Sequence, residues 1–217
     1  MGTGMSAREI DWGLYLVTDR GMVGDRALAE VVPAAVEGGV GAVQLREKEL
    51  STREFIEEAR RLRQVLRPLG VPLIVNDRVD VAWAAGADGV HIGQSDMPYA
   101  DARKLLGPDA LIGVSVESMD QFAELESCDL AYLALSPIYT TPTKTDTITE
   151  WGLEGIRAAR EHTRHRLIGI GGLNRETVAA PIRNGLDGAA VVSAICRAVN
   201  PRAAAEELAA VIREARR

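Results

Sequence analysis

The stretch PLIVNDRVDVAWAAGADGVHIGQ, residues 72–94, contains the whole fold in one unit. Two short apolar runs, PLIVND (72–77) and GVHIGQ (89–94), flank a segment that follows Arg78 and reads as helix. Neither run alternates strictly between apolar and polar residues, so neither has a wet face. Strands buried on both faces belong in a parallel sheet covered by helices. Six more runs repeat the pattern: GLYLVTD (13–19), GAVQLRE (41–47), LIGVSV (111–116), LAYLALS (130–136), RLIGIGG (166–172) and GAAVVSA (188–194). Helical patterns lie between them. In REFIEEARRLRQVL (53–66), Phe55, Ile56, Ala59, Leu62, Val65 and Leu66 recur at helical spacing. PRAAAEELAAVIREA (201–215) places Pro201 where a first helical turn accepts it. Eight such units in 217 residues predict an α/β fold, a single-domain (βα)8 TIM barrel over residues 11–217. A doubly wound open sheet is the alternative. It usually has fewer strands, and no dinucleotide fingerprint follows the first run.

Composition narrows the function classes. Apolar residues make up 47% and charged residues 26%, the balance of a globular domain with a sizeable core. The net charge of -6 argues against bulk binding of nucleic acid. It leaves room for a small anionic ligand, because a local cluster of cations outweighs a weak mean field. Cys128 and Cys196 lie far apart without metal-ligand spacing, which predicts two buried thiols in a reducing compartment. No apolar run reaches the ~20 residues needed to cross a bilayer. MGTGMSAREI (1–10) has no apolar core of a signal peptide and reads as a disordered lead-in. The expected location is cytoplasmic, without a membrane partner.

In such a barrel, polar residues at the C-terminal strand ends form the active site. The second run continues Gln44-Leu45-Arg46-Glu47-Lys48. If the chain stays extended, Gln44, Arg46 and Lys48 point the same way, with the amide deeper than the cations. The alternative is an ordinary charged exit into solvent. A glutamine inside an apolar run favours a polar pocket, because a buried amide needs partners. The third run ends in Asn76-Asp77 and the fourth in Gly93-Gln94-Ser95-Asp96. Each aspartate could cap the helix after it. Neighbouring strand ends would also set the two carboxylates side by side, near Arg46 and Lys48. Carboxylates suit Mg²⁺, which takes its other ligands from phosphate oxygens and water. Cations with a metal suggest a diphosphate.

The fifth run presents Ser115. No partners for a Ser-His-Asp triad accompany it, and His91, inside a strand, reads as a structural residue. The last runs end in Gly171-Gly172 and Val192-Ser193. The glycines meet the needs of a tight turn, or of a backbone that approaches a phosphate, as barrels commonly do after strands seven and eight. YTTPTKTD (139–146) follows the sixth run. Its hydroxyls and Lys144 suit contact with both anion sites.

Taken together, YLVTD (15–19), QLREK (44–48), VNDRVDVA (75–82), GADGVHIGQSD (86–96), IGVS (112–115), TPTK (141–144), IGGL (170–173) and VVSAI (191–195) resemble the thiamine phosphate synthase family, also called thiamine-phosphate pyrophosphorylase. The resemblance spans nearly the whole chain. QLREK, VND, GQSD and TPTK are its specific parts. It implies a Mg²⁺-dependent transfer with two small-molecule substrates. The pyrimidinylmethyl group of 4-amino-2-methyl-5-hydroxymethylpyrimidine diphosphate passes to 4-methyl-5-(2-phosphooxyethyl)thiazole, giving thiamine phosphate and pyrophosphate. The family's pyrimidine-diphosphate contacts match Gln44, Arg46, Lys48, Asn76, Ser115 and Lys144, of which Arg46, Lys48, Ser115 and Lys144 take the catalytic roles. Its metal ligands match Asp77 and Asp96. Its thiazole-phosphate contacts match Thr141, Thr143, one of Gly171 or Gly172, Val192 and Ser193. Ser136 and Tyr139 depart from the family's usual glycine and phenylalanine. A thiazole tautomerase or a non-catalytic precursor sensor is the alternative, but a tautomerase would be expected to lose part of the diphosphate and metal set, and a sensor has no leaving group that a complete metal site would activate. A homo-oligomer is compatible with all of this.

Overall fold

The computed structural model describes residues 10–140 and 150–217. Eight parallel strands close into a barrel in sequence order. They are β1 (Leu14–Val17), β2 (Ala42–Leu45), β3 (Leu73–Asn76), β4 (Gly89–Ile92), β5 (Leu111–Val116), β6 (Tyr132–Leu135), β7 (Leu167–Ile170) and β8 (Gly188–Val191), and β8 pairs back onto β1. The helices, in chain order, are α1 (Leu28–Glu37), α2 (Thr52–Leu66), α3 (Val79–Ala85), α4 (Tyr99–Leu106), α5 (Gln121–Leu125), α6 (Gly152–His162), α7 (Ala179–Arg183), α8 (Ser193–Cys196) and α9 (Pro201–Ala215). No described helix is long and apolar enough to cross a membrane.

The apolar character of both strand faces has a simple cause. Alternate residues feed two separate cores. Leu14, Leu16, Val43, Leu45, Leu73, Val75, Val90 and Ile92 pack outward against the helices. Tyr15, Val17, Ala42, Ile74, Leu111, Tyr132, Ala134 and Ile168 fill the barrel interior over Trp12. The interior therefore has to fit two large phenol rings. Gly113 makes this possible: a Cβ there would lie 2.1 Å from the Tyr132 ring.

The helix ends follow the sequence. Ser51 caps α2 and Glu54 closes the capping box, a motif worth about 1 kcal/mol. The helix buries Phe55, Ala59, Leu62 and Leu66 as spaced, and also Glu58, which the apolar pattern did not include. Glu58 pairs with Arg20 and Arg61. Pro201 opens α9 and the Asn200 side chain accepts from Ala203 N–H. Of the two cysteines, Cys196 is buried, whereas Cys128 is half-buried, correcting the expectation for it. Cys128 sits beyond the short helix α5, where its thiol turns back to the Glu124 carbonyl, and so misses the core.

Candidate active site

The C-terminal ends of β2, β3 and β4 bring the charged candidates together. Gln44 points into the barrel and is buried, while Arg46 lies above it, half-exposed. The Arg46 guanidinium is 3.7 Å from the Asp19 carboxylate, and its backbone N–H is held by Thr18 Oγ1 at 3.1 Å. Glu47 turns the opposite way and pairs with Arg20 at 3.0 Å. This alternation leaves Arg46 and Lys48 on the side of Asp77, whose ionisation both cations favour.

Asp77 takes a backbone φ of 62°, in the left-handed region that few non-glycine residues occupy. Its N–H donates to the His91 carbonyl at 2.8 Å, so the strained residue is held by the neighbouring strand. Burial raises the Asp77 carboxyl above the ordinary range, and the facing carboxylate of Asp96, hydrogen-bonded to it, raises it further. Asp96 also accepts from Gly93 N–H at 2.7 Å. Neither aspartate caps a helix. The residues at the cap positions of α3 and α4 are Arg78 and Pro98, and neither cap has a side-chain bond. Two crowded carboxylates under two cations are chemically unfinished: a divalent cation would relieve their repulsion. Among the described residues no set of three or more such ligands gathers. Asp77 and Asp96 alone therefore fit a Mg²⁺ ion that takes its remaining oxygens from a phosphate and water.

Asn76 ends β3 and is buried, aligned in register with His91 on β4. Ser115 lies near the end of β5, half-exposed, with its carbonyl held by the Gln94 amide. His91 is buried and both ring nitrogens are engaged, Nδ1 with Tyr132 Oη at 3.0 Å and Nε2 with Ser115 Oγ at 2.9 Å. Burial lowers its pKa to about 4, so the ring is neutral near pH 7. That agrees with a structural histidine. The sequence reading missed the tyrosines beneath it. Tyr132 Oη lies 2.9 Å from Tyr15 Oη, which is 3.0 Å from Gln44 Nε2. The available signal was a tyrosine inside each of two otherwise apolar runs.

The β7–β8 side has a different character. Gly171 and Gly172 have φ of +103° and +68°. A Cβ at either would come within 2.8 Å of a neighbour, Pro137 Cβ for Gly171 and Tyr139 Cβ for Gly172. The turn docks on the segment after β6, with Ile138 N–H donating to Ile170 O and Tyr139 N–H to Gly171 O. Val192 is half-buried, and Ser193 is exposed as the first residue of α8. The first N–H groups of a helix have no partner within it. Thr141, Thr143 and Lys144 lie outside the described residues.

Comparison with known proteins agrees with the fold. Residues 14–195 match the family described as thiamine monophosphate synthase. The chain is 52% identical over 199 residues to a thiamine-phosphate synthase of Albidiferax ferrireducens, covering 92% of this chain and 91% of that one. It is 50% identical to one of Vibrio parahaemolyticus, covering 90% and 95%. Among solved structures, a thiamine phosphate pyrophosphorylase from Pyrococcus furiosus superposes with a TM-score of 0.85 at 37% identity, over 94% of this chain and 97% of that one.

Proposed function

Since the chain belongs to the thiamine monophosphate synthase family, we propose that the β2–β4 side of its barrel mouth holds a pyrimidine diphosphate and the β7–β8 side a thiazole phosphate. The activity is thiamine-phosphate synthesis, a transferase reaction of thiamine biosynthesis. The observation that carries the assignment of sides is the Asp77–Asp96 carboxylate pair beside Arg46 and Lys48.

In the reaction, the bond between the pyrimidine methylene carbon and the diphosphate oxygen breaks, and its electron pair leaves with pyrophosphate. The thiazole nitrogen then forms the new carbon–nitrogen bond with its lone pair. No proton is lost, so no general base is required, in keeping with a neutral, fully engaged His91. The aminopyrimidine ring delocalises positive charge on the methylene, which favours a dissociative route. Arg46, Lys48 and Lys144 supply positive charge to the leaving diphosphate. Bound at Asp77 and Asp96, Mg²⁺ would supply a divalent charge to the same oxygens. Gln44, Asn76 and Ser115 orient the pyrimidine. Backbone N–H groups at Gly171 or Gly172, Val192 and Ser193, together with Thr141 and Thr143, hold the thiazole phosphate. Much of the acceleration then comes from aligning carbon and nitrogen in a dry site.

The test is pyrophosphate release from the purified protein with the pyrimidine diphosphate and magnesium, with and without the thiazole phosphate, while thiamine phosphate is followed by chromatography. Both products should appear together and vanish with a chelator. Binding of the thiazole phosphate without either product would overturn the reading in favour of a tautomerase or a sensor.

A further inference from the structure

Five polar side chains cross the barrel interior in one unbroken row. Gln44 Nε2 to Tyr15 Oη is 3.0 Å, Tyr15 Oη to Tyr132 Oη 2.9 Å, Tyr132 Oη to His91 Nδ1 3.0 Å, and His91 Nε2 to Ser115 Oγ 2.9 Å. The row begins on β2, passes through β1, β6 and β4, and ends on β5. Its middle is shut off from solvent, with Tyr15 1% and Tyr132 0% exposed. Gln44 and His91 are 5% and 9% exposed, and Ser115 is half-exposed at the end of β5.

Proton counting gives the row a direction. An amide nitrogen only donates, and each hydroxyl has a single proton. Tyr15 Oη accepts from Gln44, so its own proton goes to Tyr132 Oη. Tyr132, which accepts from Tyr15 and is also bonded by the Gln44 amide, passes its proton to His91 Nδ1. A ring nitrogen that accepts carries no proton, so the imidazole is neutral and protonated at Nε2. It donates to Ser115 Oγ, whose hydroxyl proton is then directed away from the row. Among the described residues no hydrogen bond uses Gln44 Oε1. Reversing the order requires the Gln44 amide to turn over and every proton in the row to change partner. No single member can flip alone without leaving two protons, or none, in one buried bond.

We propose that Tyr15, Tyr132 and His91 are positioning residues, which fix Gln44 as an acceptor and Ser115 as a donor toward the pyrimidine ring. This rests on the reading above that Gln44 and Ser115 contact that ring. An aminopyrimidine offers the matching pair, an exocyclic N–H for Gln44 Oε1 and a ring-nitrogen lone pair for the Ser115 hydroxyl. A 4-oxo pyrimidine offers the opposite pair and needs the whole row reversed. The buried row thus makes the site select the amino over the oxo ring, through residues that touch neither.

The test has two arms. In ligand-free protein labelled with ¹⁵N-histidine, the imidazole shifts at neutral pH report the tautomer, and His91→Gln assigns the signal among the three histidines. We expect His91 neutral with its proton on Nε2, and that preference lost in Tyr132→Phe, which keeps the ring and removes the relay. In steady-state kinetics, Tyr132→Phe should raise KM for the pyrimidine diphosphate about tenfold, the scale of one buried hydrogen bond. KM for the thiazole phosphate should move less than about twofold, and discrimination against the 4-oxo analogue should fall by about tenfold. A wild-type His91 protonated at Nδ1, or charged, overturns the proposal. So does a Tyr132→Phe enzyme with unchanged pyrimidine KM and unchanged discrimination. If Tyr132→Phe does not fold, the wild-type spectrum still decides the proton order, because it needs no variant. A protein with the expected tautomer that makes no thiamine phosphate would refute the function while leaving the proton order intact.

Discussion

The two sides of the barrel mouth are built from different materials. At β2–β4 the work falls to side chains: Arg46, Lys48, Asp77 and Asp96 gather there, and Asp77 accepts backbone strain to face Asp96. At β7–β8 it falls to the backbone: Gly171 and Gly172 make a turn in which any side chain would collide, and the exposed Ser193 opens a short helix. The contrast matches the two anions proposed for them. A diphosphate that leaves needs charge at the moment its bond breaks. A phosphate that is only held needs donors at fixed positions, which backbone N–H groups supply at no cost in side-chain entropy. The first side should therefore fail when charge is deleted, and the second when bulk is added.

The sharpest way to separate the sides is to delete the carboxylates. Asp77→Asn with Asp96→Asn should lower kcat by about a thousandfold or more, the scale of lost charge stabilisation in a buried site. Thermal stability should not fall with it. The Asp77 carboxyl is held above its ordinary value, so its charged form is disfavoured in the fold and its removal relieves repulsion. A variant that loses activity and melting temperature in step would break the comparison, because the pair would then serve the fold.

Acid should reach the charged side from below, through His91. Its pKa falls from 6.5 to about 4 because burial disfavours the imidazolium. The neutral form is the one the fold accepts. The full contribution is present above the unfolded value and is lost as pH falls from 6.5 toward about 4. Over that window the loss amounts to about 3 kcal/mol. Denaturant unfolding of the wild type should weaken across this range by one proton more than that of His91→Gln. Parallel curves would mean that the histidine is not held neutral.

Bulk is the probe for the backbone side. Gly171→Val puts a Cβ 2.8 Å from Pro137 at a φ of +103°. It should raise KM for the thiazole phosphate about tenfold, through strain on the order of 1–3 kcal/mol in the turn. KM for the pyrimidine diphosphate should change much less, and steady-state kinetics with each substrate varied in turn reads the split. An equal rise in both would mean that the turn supports the whole mouth.

The two sides were also unequally legible in the sequence. All eight strands lie inside apolar runs visible in the chain, because burial on both faces leaves a continuous signal. Helix α2 was readable because Phe55, Ala59, Leu62 and Leu66 share one face, and α9 from its Pro201 start. The charged cluster was readable because each member lies within four residues after a strand, and closed topology then sets neighbouring ends together. The interior row was not. Tyr15 and Tyr132 are 117 residues apart, and nothing local to either indicates that they meet. Arg20, Glu47 and Glu58 escaped for the same reason, since a buried glutamate is interpretable only once its partner is in place. At β7–β8 the glycines stayed ambiguous, because a turn and a phosphate cradle make the same demand on the backbone. The structure supplies the turn's reasons for both.

The smallest predicted effect is the most discriminating. Ser193 is the one polar side chain proposed for the described part of the backbone side, and it is exposed. If N–H groups hold the phosphate, Ser193→Ala removes one solvent-competed hydroxyl and leaves every backbone donor in place. The lost bond should raise KM for the thiazole phosphate by less than about threefold, because an exposed hydrogen bond exchanges almost evenly with water. Ser193→Asp occupies similar space but sets a negative charge against the phosphate, and should weaken binding well beyond the alanine change. Alanine and aspartate together thus separate the hydroxyl from the site around it. If alanine alone reduces activity as far as the Asp77 and Asp96 changes do, the hydroxyl is the principal donor. The β7–β8 side would then be a side-chain site like its counterpart, and the division of labour across the mouth would be lost.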